Sequence, residues 1–148
     1  MEQVKYCVRV QVITGSRSWR DPDPLKDALA YAEALIVGDA TGADALSLEL
    51  ALLWDIIPSV FCASPRTAHR LLSKLGASAD VRLVSDWQRH GTRAGPIRNA
   101  AMVHEAVRAR SAGFDVVCHA FPLPGSVGTL DCIAQLEQAG FSVTRYPW

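Results

Sequence analysis

Cys7-Val8-Arg9-Val10-Gln11-Val12-Ile13-Thr14-Gly15-Ser16-Arg17-Ser18-Trp19 is the stretch on which the fold turns. It alternates apolar and polar residues, becomes continuously apolar up to Ile13 and stops at Thr14-Gly15-Ser16, so it reads as a strand running into a loop. Asp21-Pro22-Asp23-Pro24 then supplies cap and first-turn residues for a helix over about Leu25 to Ala34, and a strand follows at Ala34 to Val37. The same succession repeats outward from there. Gly38 to Asp44 leads into an alanine- and leucine-rich helix from Ala45 to Trp54, and Pro58 to Ala63 is a third strand. Pro65 to Leu75 reads as a helix, Val81 to Val84 as a short strand and Ser85 to Arg93 as a loop. Gly95-Pro96 opens a helix over about Ile97 to Arg110 that stops near Gly113. Phe114 to Ala120 is a strand, Pro122 to Gly128 a loop, Thr129 to Ala139 a helix ended by Gly140, and Phe141 to Tyr146 the last strand. Strands alternating with helices predict an α/β chain: a Rossmann-like three-layer α/β/α sandwich with a mainly parallel sheet, formed by residues 1–148 as one domain.

The bulk properties agree with one compact domain of 148 residues, 49% hydrophobic and 20% charged. Fifteen basic and fifteen acidic residues balance to a formal charge of zero, which argues against a nucleic-acid partner held by counterion release. Cys7, Cys62, Cys118 and Cys132 show no CxxC pair and no cysteine/histidine spacing typical of zinc, so no metal is assigned. Three of the four sit in strand-like apolar runs and are expected to be reduced, buried thiols, which suits a cytoplasmic location. No run approaches the roughly 20 apolar residues needed to span a bilayer, so no membrane partner is expected. His119, beside Cys118 at a strand end, reads as structural.

In parallel sheets ligands sit beyond the carboxyl ends of the strands, where loops lead into helix N-termini with unpaired N–H groups. Four segments fall there. In the first, Gly15, Ser16, Arg17 and Trp19, the glycine permits close backbone approach and the arginine offers a forked donor for phosphate or carboxylate. In the second, Thr41, Gly42 and Asp44 match a capping box in spacing; alternatively Asp44 faces a ligand and accepts from ribose hydroxyls. The third, Gly125-Ser126-Val127-Gly128-Thr129-Leu130-Asp131, lies between an apolar strand and a helix, where a phosphate-cradling loop belongs. The fourth places Arg98 and Asn99 in the first turn of a helix, where a cation opposes the macrodipole and points to an anion nearby. The GxGxxG dinucleotide fingerprint is absent, and no cofactor is assigned.

Four motifs in order (Thr-Gly-Ser-Arg with Trp19 close behind, Thr-Gly-Ala-Asp, Asp86-Trp87 ahead of Ala94-Gly95-Pro96-Ile97-Arg98-Asn99, and Gly-Thr-x-Asp) give the chain its resemblance to the SLOG superfamily. Within it the chain resembles the YspA/YpsA-related group of small proteins from bacteria and their phages, domain of unknown function 2493. The resemblance implies a Rossmann-like fold and recognition of nucleotides or their derivatives. Relatives include nucleoside-monophosphate phosphoribohydrolases, the DNA-processing protein DprA and sensors of NAD-derived signals. The hydrolases carry a PGGxGTxxE loop. Here Arg98 is the counterpart of their arginine, Ser126 stands at the second loop glycine, Cys132 occupies the catalytic glutamate position, and Asp131 lies one residue earlier.

Three functions follow as expectations. The first is a module that binds or senses a nucleotide-derived ligand, with Arg17, Arg98, Ser126 and Thr129 on the phosphate. The second is cleavage of an N-ribosidic bond, with Arg98 steadying phosphate and Asp131 or Asp44 meeting the developing charge. The third is DprA-like binding of single-stranded DNA, with Trp19 and Trp87 stacking on bases. The alanine- and leucine-rich helices supply surface for a homodimer of the kind relatives form.

Overall fold

The architecture comes from a computed structural model and is described over residues 7–147. Six strands form one sheet: β1 (Arg9–Gly15), β2 (Ala34–Gly38), β3 (Ile57–Cys62), β4 (Asp80–Leu83), β5 (Asp115–Phe121) and β6 (Val143–Arg145). Every pairing is parallel, in the order β4-β3-β2-β1-β5-β6. The helices are α1 (Asp23–Leu29), α2 (Ala43–Leu53), α3 (Pro65–Leu75), α4 (Trp87–His90), α5 (Ala94–Ser111) and α6 (Val127–Gln138).

Both faces of the sheet are covered, which is why its central strands read as apolar runs rather than strict alternations. On one face Ile13, Leu35, Val37 and Val60 pack with Leu25 and Leu29 of α1, Leu48 and Ala51 of α2, and Leu71 of α3. On the other Val12, Ile36, Phe61 and Cys118 pack with Met102, Val103 and Ala106 of α5 and Leu136 of α6. Leu25, Leu29 and Leu35 are entirely removed from solvent, and each such side chain contributes about 1.5–3 kcal/mol of hydrophobic stabilisation. The predicted α/β/α sandwich is therefore present, with a sheet parallel throughout.

Element limits differ from expectation in several places, among them the following. Helix α1 ends at Leu29 instead of reaching Ala34, because Ala30 turns extended and Tyr31 takes a left-handed φ of 65°. The expected loop Ser85–Arg93 holds α4, capped by Asp86, whose Oδ1 accepts the Gln88 N–H at 2.9 Å, and then a 3-10 turn at Gly91–Arg93. Helix α5 begins at Ala94, so Gly95-Pro96 lies inside its first turn, where a missing N–H removes no helical hydrogen bond. Helix α6 begins at Val127, two residues early.

Cys7 precedes β1 and is exposed, contrary to the buried thiol expected of it, whereas Cys62, Cys118 and Cys132 are buried. Burial pushes each of these three thiols up to about 12. A thiol reacts as its thiolate, so a disulfide reagent at pH 8 should label Cys7 quickly and the other three only on unfolding. Rapid native labelling that persists in Cys7→Ser would contradict this packing. Among the described residues no helix is long and apolar enough to cross a membrane.

Candidate functional site

The register of β1 on β5 sets Gly15 opposite Phe121, so the loops leaving these two central strands emerge side by side, next to the start of α2. Around them opens a cleft of about 510 Å3. Of the residues singled out in the sequence, Gly15, Ser16, Arg17, Asp44, Arg98, Asn99, Gly125, Ser126, Gly128, Thr129 and Asp131 all line it. Four segments separated by up to a hundred residues thus face one another across a single space.

Trp19, Thr41 and Gly42 do not line it. Trp19 is 3% exposed, meets Phe121 edge-on at 5.3 Å and donates its indole N–H to the Asp21 carbonyl at 2.7 Å, so it anchors the loop from below. Thr41 and Asp44 form no capping box: α2 is capped by Gly42 without a side-chain hydrogen bond, the Thr41 hydroxyl donates to the Arg17 carbonyl at 3.1 Å, and Asp44 accepts from the Ala40 N–H at 3.1 Å. Gly42, at φ 73°, lies against the backbone of Ser16 and Arg17. A Cβ on Gly15 would overlap that of Ala43. These two glycines dock the first loop onto α2, and the third loop is the one that leaves open space: nothing lies within 4 Å of a Cβ built on Gly125 or Gly128.

Helix α6 points its N-terminus into the cleft. Its N-cap, Ser126, uses its hydroxyl to accept the Leu123 N–H at 3.1 Å rather than to cap the helix. The Val127 and Leu130 N–H groups find carbonyls, but those of Gly128 and Thr129 meet no acceptor among the described residues. Two free donors at the positive end of a twelve-residue helix are a geometry suited to an anion.

Arg98 lines the cleft and also belongs to the framework. Its Nη1 donates to Asp39 Oδ1 at 3.0 Å in an ion pair with side chains 11% and 4% exposed. The anion inferred from a cation at a helix N-terminus is thus supplied by the protein itself. Asp39 was not foreseen; its other oxygen accepts the Ala63 N–H at 3.0 Å, tying β2 to the end of β3. Arg98 Nη2 lies 3.4 Å from Asn99 Oδ1, and its buried Nε has no partner. Asn99, 1% exposed, donates from Nδ2 to the Gly128 carbonyl at 3.1 Å and to Asp131 Oδ2 at 3.0 Å. Asp131 Oδ2 also accepts from Gln135 at 2.9 Å, so much of this carboxylate is committed to positioning α5 against α6. Cys132, at the hydrolases' glutamate position, is fully buried and offers no carboxylate.

Trp87 forms one wall, 39% exposed, with the Arg17 guanidinium 5.4 Å from its ring centroid and Gly95 beneath it. Nothing in the local sequence distinguished a cleft indole from a core one. Deeper in, Asp44 is wholly buried, and desolvation raises its pKa to about 6 against the opposing pull of Arg98 and of the Ala40 N–H.

No protein-family model matches the chain. In solved structures it is similar to DNA processing protein A (DprA) of Streptococcus pneumoniae, at 17% identity and a TM-score of 0.48, covering 92% of this chain and 58% of that one. The chain therefore spans a little over half of that structure's length. The expectation that a nucleic-acid partner is unlikely is corrected against this finding, since the similar structure is that of a DNA-processing protein. Its premise was also too coarse, because a net charge of zero does not say where the charges sit. Among curated proteins it is 35% identical over 146 residues to the Gene 61 protein of Mycobacterium phage D29, covering 94% of this chain and 97% of that protein, and the chain belongs to that protein's family.

Proposed function

We propose that the cleft binds a nucleotide or nucleotide-derived ligand by its phosphate, in the manner of the YspA/YpsA-related group of the SLOG superfamily, in a cytoplasmic protein. The observation that carries this reading is the pair of unclaimed N–H groups of Gly128 and Thr129 at the start of α6, in a cleft that Arg17 and Arg98 also line. Arg17 adds an exposed cation at the mouth, and Trp87 offers an aromatic face for a base. The test is calorimetry with mononucleotides, ADP-ribose and cyclic NAD derivatives. Binding should quench or shift Trp87 fluorescence, a signal that disappears in Trp87→Phe, and Arg17→Ala should weaken affinity by about 10- to 100-fold, the worth of one charge-assisted hydrogen bond. Absence of binding across that panel would defeat the proposal.

A second reading, a single DNA strand laid along the same sheet edge, is favoured by one observation. Arg17, Arg66, Arg89 and Arg93, in and around the loops that follow β1, β3 and β4, make no ion pair among the described residues. Of the acids near that edge, Asp39 is held by Arg98, Asp86 by its own helix and Asp131 by Asn99, while Asp21 is exposed. A log-log plot of oligonucleotide affinity against salt with a slope steeper than about −2 supports this reading, and a flat one removes it.

A further inference from the structure

The cleft is not purely cationic. Asp44 and Asp131 line it together with Arg17 and Arg98, and Arg98 is already paired with Asp39, outside the lining, at 3.0 Å. Asp44 has no ion pair among the described residues; its one hydrogen bond comes from the Ala40 backbone at 3.1 Å. Asp44 and Arg98 are packed over Gly38, where a Cβ would stand 2.7 Å from Asp44 Oδ2 and 3.3 Å from the Arg98 guanidinium carbon. The charged and titratable groups around Asp44 are Arg98 from α5, Asp39 from the β2 loop, Arg17 from the β1 loop and Cys132, beside Asp131, from α6. Only Asp44 among the carboxylates is both buried and without a cation of its own. An entering phosphate therefore adds a negative charge near a buried carboxylate whose strongest cationic neighbour, Arg98, is already paired with Asp39.

We propose that Asp44 is the proton-linked residue of this site: when an anionic ligand enters the cleft, one proton moves from solvent to the Asp44 carboxylate, and it returns to solvent when the ligand leaves. This inference rests on the reading of the cleft as an anion site and adds its regulation. The ligand-free carboxyl already titrates near 6, raised mainly by burial. A bound anion raises it further, since a like charge disfavours the ionised form. The sign follows from linkage: a group whose pKa rises on binding makes binding tighter as pH falls through the interval between its two values. Affinity should gain about tenfold between pH 8 and pH 6 and flatten below.

ADP-ribose is the suitable probe, because its pyrophosphate does not titrate between pH 5.5 and 8. Calorimetry at pH 7 in buffers of different ionisation enthalpy should show uptake of roughly 0.5 to 1 proton per ligand. Asp44→Asn should bind with no proton uptake and with a pH-independent affinity near that of the wild-type protein at pH 6. Binding by the wild-type protein without proton uptake would overturn the inference and leave the cleft reading intact. Carbon-13 NMR of the Asp44 carboxyl gives an independent check with sulfate as the probe. The midpoint should lie near 6 without ligand and move up in sulfate. If ADP-ribose does not bind but sulfate moves the midpoint, the proton linkage stands and the nucleotide reading fails. A ligand-free midpoint below about 4.5, or one that neither anion moves, rejects the linkage.

Discussion

Arg98→Met should cost about 3–5 kcal/mol of folding stability at pH 8, because removing one partner of a buried ion pair leaves the other charge uncompensated. Asp39, 4% exposed at the side chain, would keep only its hydrogen bond from Ala63. Asp44 would lose the main attraction holding its pKa down and rise above its present value of about 6. A carboxyl whose pKa is higher folded than unfolded destabilises the protein above that pKa, and the penalty fades as pH falls through it. Urea denaturation should therefore show a larger deficit at pH 8 than at pH 5. Arg98→Lys, which keeps the charge and loses the planar fork, should fall between the two. A loss below about 1 kcal/mol at pH 8 would mean that the Asp39–Arg98 pair holds nothing together, and the framework role given to Arg98 would be withdrawn.

Gly42→Ala should be comparably damaging for a wholly different reason. Gly42 sits at φ 73°, ψ −124°, a backbone conformation reserved for glycine, and a Cβ there would meet Arg17 carbonyl atoms at 2.5 Å. Strain of that kind and the overpacking each cost about 1–3 kcal/mol. For a domain of this size the sum corresponds to a fall in Tm of roughly 10 °C. Gly128→Ala is the internal comparison. It lies within α6 with open space around it, so alanine should raise stability by about 0.5–1 kcal/mol while weakening ligand binding by crowding the free N–H groups. If both substitutions changed Tm alike, the distinction between a docking glycine and a cleft glycine would not hold.

Periodicity was enough to reveal the sheet and most helices, because hydrophobic burial acts on every second or every third to fourth residue and leaves that imprint in the chain. Limits were less legible. The end of α1 is set at Ala30 and Tyr31 by backbone turns that no propensity rule marks. The four cleft segments were legible because each joins a strand end to a helix start. Partners were not. Asp39 finds Arg98 59 positions away, a pairing that exists only once β2 and α5 are packed. Thr41 and Asp44 have the spacing of a capping box, but tertiary contacts to Arg17 and Ala40 outbid the local motif.

The all-parallel order has a consequence for how the cleft comes into being. Strand β1 is synthesised early, yet its neighbour β5 starts at Asp115, which pairs with Arg9, so the two walls of the cleft are separated by most of the chain. No hairpin can assemble them, and closure of so long a loop is slow. During synthesis at about 5–20 residues per second, β1 to β4 wait for several seconds with one edge of β1 unpaired. The cleft is thus among the last features of this chain to form as it leaves the ribosome, and a chain stalled before Phe121 exposes an unpaired edge of β1.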